Sequence, residues 1–177
     1  MEELRLEAAR GLDKGLVLSL ATGEYLAKAE SVLISGATGS GKTTLLGALL
    51  TEVPADERII IVEDTRELRP AHGHVVSLQA RAGNSEGSGA VSLADLVRQA
   101  LRMRPDRLVV GECRGAEVRE LFTALNTGHA GAGTVHANSA ADVVPRFEAL
   151  GALAGLDADA HDDLCTRRPL DAREHFR

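Results

Sequence analysis

One segment of the sequence, from Gly36 to Thr43, fits the phosphate-binding pattern G-x-x-x-x-G-K-[ST]. Its glycines allow the backbone to curl, so that successive N–H groups point inward at phosphate oxygens. A helix that begins at Lys42 would add the positive end of its dipole, and the Lys42 ammonium group can reach the β and γ phosphates. The pattern therefore predicts a nucleotide site, with these residues in contact with the phosphates: Gly36, Ala37, Thr38, Gly39, Ser40, Gly41, Lys42, Thr43 and Thr44. The Thr43 hydroxyl can also ligate Mg²⁺.

Acidic residues follow two short apolar runs, and they are candidates for chemistry on the bound phosphates. Residues 59–62 precede Glu63 and Asp64, and residues 108–110 are followed, after one glycine, by Glu112. A nucleotidase of this kind needs a carboxylate at the end of a neighbouring strand, to orient Mg²⁺ or to polarise the attacking water. In a parallel sheet both acids would reach the edge where the phosphate loop lies. The pattern alone leaves open which acid has which role.

Short apolar runs alternate with helical segments, and this order predicts an α/β domain with a mostly parallel sheet flanked by helices. Four consecutive β-branched residues at 59–62 are typical of a strand buried on both faces. We expect strands at 31–34, 59–62, 74–78 and 108–110 and one that ends near 136, and helices that begin at 42, 92, 116 and 139. Ser92 and Ser139, each with an aspartate three residues on, are the expected caps of the second and last helices.

The composition favours one globular domain and excludes several classes of protein. The chain has 177 residues, of which 44% are apolar and 26% charged, a balance outside the disordered range. Its aromatic residues are one Tyr and three Phe, and its net charge is -6, so we expect no direct contact with nucleic acid. No apolar run approaches the roughly 18 residues of a membrane span, and the two cysteines have no metal-ligand spacing. The expected location is the cytoplasm.

Five segments, taken in order, resemble the motifs of the bacterial secretion and pilus-assembly ATPases, also called traffic ATPases. The segments are residues 35–44, 61–64, 98–107, 110–115 and 126–139, and the resemblance covers about residues 31–156. The branch that the sequence most resembles is that of the tight-adherence (Flp) pilus ATPases. The resemblance implies a RecA-like core that uses ATP and Mg²⁺ in a hexameric ring at the cytoplasmic face of the inner membrane. There it would drive pilus assembly or protein secretion with an inner-membrane platform protein.

The resemblance also implies roles for individual residues. The segment from Gly36 to Thr44 would be the Walker A motif, and Glu63 resembles the water-activating acid of the family's Asp box. Glu112 fills the Walker B position and, with Thr43, would hold Mg²⁺ through a water. His136 is the His-box residue, which is implied to sense the γ-phosphate. The arginines at 98, 102, 104 and 107 are by default a solvated charged face on a helix, and the resemblance makes them candidate partners of a neighbouring subunit's phosphates.

The resemblance fails at both ends of the chain. We expect residues 1–30 to be an N-terminal helical remnant, residues 31–156 the ATPase core and residues 157–177 a charged, disordered tail. Family members usually carry a separate N-terminal domain that closes over the nucleotide, and about 30 residues are too few for it. The chain is therefore expected to be a truncated form. An alternative hypothesis is a truncated ATP-binding paralogue with little or no hydrolysis, regulatory or non-functional; a small-molecule kinase and a nucleic-acid motor are less favoured.

Overall fold

The computed structural model describes residues 15, 18, 20, 22, 32–36, 39–83, 89–137 and 139–156. For residues 32–36 and for Ala140 it describes the backbone alone. Residues 15, 18 and 20 are helical, whereas the rest of the expected N-terminal helical remnant lies outside the described residues, except for Thr22. The expected C-terminal tail, residues 157–177, lies outside them as well, and so do Ala37 and Thr38 of the phosphate loop.

Five strands make up the sheet within the described part of the chain: β1 (Val32–Gly36), β2 (Ile59–Glu63), β3 (Val75–Gln79), β4 (Arg107–Cys113) and β5 (Ala130–His136). They lie in the order β1-β5-β4-β2-β3, and all four neighbouring pairs are parallel. The predicted α/β class with a mostly parallel sheet is confirmed. Because the strands are parallel, the residues at their carboxyl ends share one edge of the sheet.

Four α-helices flank the sheet in the described ranges: α1 (Lys42–Thr51), α2 (Leu93–Arg102), α3 (Glu117–Asn126) and α4 (Val143–Leu153). The predicted starts of the first three are confirmed to within one residue. Ser92 caps α2 as predicted: its hydroxyl oxygen accepts a hydrogen bond from the N–H of Asp95, and the Asp95 carboxylate accepts one from the N–H of Ser92. None of the described helices is long and apolar enough to cross a bilayer.

The start of the last helix differs from the prediction. The Ser139 hydroxyl donates to Asp142 Oδ2 at 2.8 Å instead of accepting from a backbone N–H, so it does not cap an α-helix. A single 3-10 turn, Ala140–Asp142, follows, and α4 begins only at Val143. The predicted cap is therefore wrong by three residues, since Asp142 is the N-cap residue of α4, and the side chains of Ser139 and Asp142 bond to each other rather than to the backbone.

Apolar side chains cover both faces of the sheet, as the run of β-branched residues in β2 predicts. On one face, alternate residues of β2 and β4 pack against α2, α3 and α4: Ile60, Val62, Leu108, Val110, Val97, Leu121, Phe147 and Leu150. On the other face the remaining residues of these strands pack against α1 and the loop after β2: Ile59, Ile61, Val109, Leu46, Leu50 and Leu68. Each such burial contributes about 1.5–3 kcal/mol. The two central strands are thus held rigidly, and their carboxyl ends are fixed in position.

Candidate nucleotide-binding site

The described part of the loop before α1, residues 39–41, has a backbone that suits a phosphate cradle. Gly39 and Gly41 have φ angles of 79° and 88°, in the left-handed region that favours glycine. A Cβ atom at either position would meet nothing within 4 Å, so backbone conformation rather than lack of space explains these two glycines. Gly41 caps α1 without a side-chain hydrogen bond, and the first turn of α1 holds no acidic residue. The positive end of this helix is therefore not neutralised by a cap or an acid, which suits an anion.

The register of the sheet places the predicted His-box residue beside the start of this loop. His136 is the last residue of β5, and it lies opposite Gly36, the last residue of β1. The side chain of His136 is half-buried. The structure thus brings the last residue of β5 next to the first residue of the phosphate-binding pattern.

A cleft at the carboxyl edge of the sheet brings together Thr43 and the predicted acidic residues. Its lining is formed by α1, the end of β4 and the loop after β2: Thr43, Glu63, Asp64, Thr65, Glu67, Gly111, Glu112 and Arg114. The structure therefore brings the two acidic strand ends together beside the start of α1, as the strand order predicts. His136 is not part of this lining and lies at the end of β5, opposite Gly36.

Glu63 is buried, and its carboxylate organises the loop that follows β2. Only 4% of the residue is exposed, and its Oε1 accepts hydrogen bonds from the N–H groups of Glu67 at 3.1 Å and Leu68 at 3.0 Å. Its side chain lies across Gly111 of β4: a Cβ atom there would come within 2.7 Å of Glu63 Cγ. Only glycine fits beside this carboxylate without displacing it.

A β-bulge turns Glu112 toward the cleft. Val110 pairs with Gly133, but Cys113 pairs with Val135, so β4 has one residue more than β5 over this stretch. Leu108 and Val110 face the core formed by α2, α3 and α4, and so does Cys113. In an unbroken strand, alternation would put residue 112 in that core. The extra residue places Cys113 there instead, where burial raises the pKa of its thiol, and leaves Glu112 partly exposed in the cleft.

Two residues of the site were missed by the sequence reasoning. Arg114 Nη2 donates to Glu112 Oε2 at 2.5 Å, and this bond raises the pKa of Arg114. Glu117 is 6% exposed, and its Oε1 accepts from the N–H groups of Arg114 at 2.5 Å and Gly115 at 2.7 Å. The signals were an arginine two residues after a candidate metal-binding acid, and a glutamate at the first position of a helix.

The arginines at 98–107 do not form the single solvated helical face that was expected. Arg98, on α2, pairs with Asp95 and Glu120. Arg107 begins β4, at the opposite edge of the sheet from the cleft, where it is buried and donates to both carboxylate oxygens of Glu57, at 2.6 and 3.1 Å. The expectation is wrong for Arg107, because burying its guanidinium requires a partner within the chain.

The donor set in the cleft fits the Mg²⁺ that accompanies a nucleotide. Thr43 offers a hydroxyl oxygen, and Glu112 and Asp64 offer carboxylate oxygens, which are the ligands that Mg²⁺ prefers. Within the described ranges no group of three or more His, Cys, Asp or Glu residues could hold a metal ion. Mg²⁺ bound with a nucleotide takes one or two protein ligands, and phosphates and waters supply the rest. The residues present therefore suit a metal that binds weakly by itself and more tightly when a nucleotide supplies further ligands.

A parallel α/β sheet with a phosphate cradle after one edge strand, and acids at the ends of two neighbouring strands, defines a P-loop nucleotide-binding domain. The family described as Type II/IV secretion system protein matches residues 20–165, and the chain belongs to this family.

Relatives of known name agree with this family. The chain is 64% identical over 129 residues to a protein of Mycobacterium tuberculosis whose name assigns it to conjugal transfer, covering 72% of this chain and 37% of that protein. It is 47% identical over 115 residues to the type IV secretion system protein PtlH of Bordetella pertussis, covering 63% of this chain and 33% of that protein. The chain thus spans about a third of the length of these relatives.

Solved structures show the same fold. The VirB11 ATPase of the Brucella suis type IV secretion system, in complex with sulphate, matches with a TM-score of 0.66 and 29% identity, over 85% of this chain and 47% of that one. The pilus retraction motor PilT, with bound ADP, matches with a TM-score of 0.62 and 27% identity, over 86% of this chain and 41% of that one. The fold is the RecA-like fold of these ATPases.

Proposed function

We propose that this chain is the ATP-binding and ATP-hydrolysing core of a motor that drives pilus assembly or protein secretion. The observation that carries the proposal is the cleft in which Thr43, at the start of α1, meets Glu63 and Glu112 from two neighbouring strands. Two of the similar proteins support the assignment, since one is a secretion-system ATPase and the other a pilus retraction motor with bound ADP.

In this proposal the phosphate loop binds ATP through the segment from Gly36 to Thr44. The N–H groups at the start of α1 and the Lys42 ammonium hold the phosphates, while Thr43 and, through a water, Glu112 hold Mg²⁺. Mg²⁺, when bound, neutralises charge that develops on the phosphate oxygens. We propose that His136, which lies opposite Gly36 in the sheet, responds to the terminal phosphate.

Glu63 is the proposed acid that positions and activates the attacking water. Both backbone donors, from Glu67 and Leu68, bind Oε1, so Oε2 is the oxygen that we propose faces this water. A carboxylate with two N–H donors on one oxygen can accept a proton from the water through the other oxygen. The same donors prevent the side chain from rotating, so the water is held in one place.

The proposal extends to the assembly. We propose that the chain acts in a hexameric ring, at the cytoplasmic face of the inner membrane and against an inner-membrane platform protein, and that it belongs to the Flp pilus branch. The support is the order of the five sequence motifs. The branch is tested by producing the chain in a Flp-piliated host that lacks its own assembly ATPase. If pili do not reappear there, and if the chain does not reduce piliation of the wild-type host, the assignment to this branch is contradicted.

The proposed division of the chain is a helical segment over residues 1–30, the ATPase core over 31–156 and a charged tail over 157–177. Limited proteolysis, with the fragments identified by mass, tests this division. Cleavage should concentrate outside 31–156 and a fragment close to these bounds should persist. Early cleavage within 31–156 would contradict it.

The activity is tested by ATP turnover at increasing protein concentration with excess Mg²⁺. An arginine from a neighbouring subunit contributes about 10³–10⁵ in rate in related enzymes, so turnover per chain should rise with concentration. Glu112→Gln and Glu63→Gln should abolish turnover, whereas Arg146→Gln, an exposed residue on α4, should not. Failure to bind ATP refutes the proposal. Tight binding without turnover at any concentration would instead identify an ATP-binding module that regulates longer subunits.

A further inference from the structure

The Arg114 guanidinium lies among the carboxylates of the cleft. Its Nη2 atom contacts Glu112 Oε2 at 2.5 Å, and Asp64 and Glu67 line the same cleft. The acid that is proposed to hold Mg²⁺ through a water thus already has a cation on one of its two oxygens.

The backbone of Arg114 is held by hydrogen bonds, whereas its side chain is largely exposed. The buried carboxylate of Glu117 accepts the N–H groups of both Arg114 and Gly115 and so sets the turn that follows β4. The side chain beyond this turn is 63% exposed and that of Glu112 is 30% exposed. An ion pair with this exposure is easily broken, because water and salt screen it. Arg114 can therefore leave Glu112 without any change in the sheet.

We propose that Arg114 is a resident counter-ion of Glu112 that competes with Mg²⁺ for this carboxylate. The inference rests on the proposed function, in which Glu112 holds the metal. While Arg114 occupies Oε2, it lowers the negative charge of the cleft and reduces the repulsion of an incoming nucleotide. With Mg²⁺ bound beside Glu112, the guanidinium would be released from Oε2, while the Arg114 backbone would keep its place in the turn after β4. Arg114 is thus a positioning residue that sets the metal concentration at which the site becomes complete.

The first test uses Mn²⁺ alone, titrated into the protein without nucleotide and followed by the paramagnetic resonance signal of the free ion. Arg114→Gln should lower the apparent Kd for Mn²⁺ by about two- to fivefold, the range expected for loss of an exposed ion pair. Arg114→Lys, which keeps the charge, should stay closer to the wild type. Arg146→Gln removes an exposed positive charge on α4, away from the residues that line the cleft, and should have no effect.

A double variant separates specific competition from a general effect of charge. If Arg114 acts through Glu112, the tightening caused by Arg114→Gln should disappear in a Glu112→Gln background. Equal Mn²⁺ affinities for Arg114→Gln and Arg146→Gln would overturn the inference, and so would a tightening that persists without the Glu112 carboxylate.

A parallel titration with a fluorescent ATP analogue tests the proposed function separately from the inference about Arg114. Arg114→Gln should weaken binding of the analogue without metal and reduce the Mg²⁺ concentration at half-maximal binding, again about two- to fivefold. If no variant binds the analogue, the proposed function is refuted. The Mn²⁺ titration alone then tests whether Arg114 competes with the metal. Binding in which Arg114→Gln leaves the Mg²⁺ midpoint unchanged overturns the inference and leaves the proposed function standing.

Discussion

The contact between Gly111 and Glu63 makes a quantitative prediction for Gly111→Ala. The added Cβ would lie 2.7 Å from Glu63 Cγ and 3.1 Å from its Oε1, so the carboxylate must move. Crowding of this kind costs about 1–3 kcal/mol, and each weakened hydrogen bond to the charged Oε1 costs up to about 1.5–3 kcal/mol more. The reduced freedom of the unfolded chain returns about 0.4–1 kcal/mol. With one of the two hydrogen bonds lost, we therefore expect the free energy of unfolding to fall by about 1.5–5.5 kcal/mol.

The assay is urea unfolding followed by circular dichroism, with Gly133→Ala as the matched control. Gly133 lies on the neighbouring strand β5, and a Cβ there would come no closer than 3.4 Å to any atom, so this variant should change stability by less than about 1 kcal/mol. The cause is isolated by repeating Gly111→Ala in a Glu63→Ala background, where the obstructing side chain is gone. There its cost should vanish. Equal costs in both backgrounds would refute the argument that Gly111 makes room for Glu63.

Three further predictions follow from the same elements. Glu117→Ala leaves the N–H groups of Arg114 and Gly115 without their acceptor, so it should lower the free energy of unfolding, measured in urea, by about 1–3 kcal/mol. Glu117→Gln keeps an acceptor oxygen and should lower it less. Equal losses in the two variants would contradict this prediction. Leu68→Ala should cost about 2–5 kcal/mol, since the side chain is 2% exposed in the core under α1, and faster amide exchange at residues 64–68 should accompany it. Burial raises the pKa of Cys113, so the unfolded chain loses this proton first as the pH rises. The contribution of this thiol to the free energy of unfolding is complete below the ordinary thiol pKa of about 8.5, and above it declines by up to about 1.4 kcal/mol per pH unit. The urea midpoint of the wild type should therefore fall more steeply from pH 8 to 10 than that of Cys113→Ala. Midpoints that fall in parallel would contradict this prediction.

The placement of the main acids followed from the sequence because it depends on strand order and direction alone. The β-branched run of β2 and the apolar run of β4 indicate buried parallel strands, and parallel strands bring Glu63 and Glu112 to one edge. The phosphate pattern likewise depends on local backbone conformation, and Gly39 and Gly41 have the left-handed backbone that favours glycine.

The contacts that refine the site could not be predicted, because they depend on distances between segments far apart in the chain. Strict alternation along β4 would put Glu112 in the apolar core, and no local signal apart from Gly111 marks the bulge. Glu117 is unremarkable at the start of a helix until the turn at Arg114 and Gly115 folds back on its carboxylate. The prediction of a solvated Arg107 failed for the same reason, since the partner that allows this arginine to be buried, Glu57, lies 50 residues earlier in the chain.

The bulge in β4 also bears on how this strand can change over evolution. Because one extra residue separates Val110 from Cys113, loss of Gly111 would restore regular alternation and leave Cys113 in the apolar core. Glu112 would then stand where Gly111 stands, at a position where a Cβ atom comes within 2.7 Å of Glu63 Cγ. The two acids of the cleft would compete for one place in the sheet. The length of this stretch is therefore constrained as well as its composition.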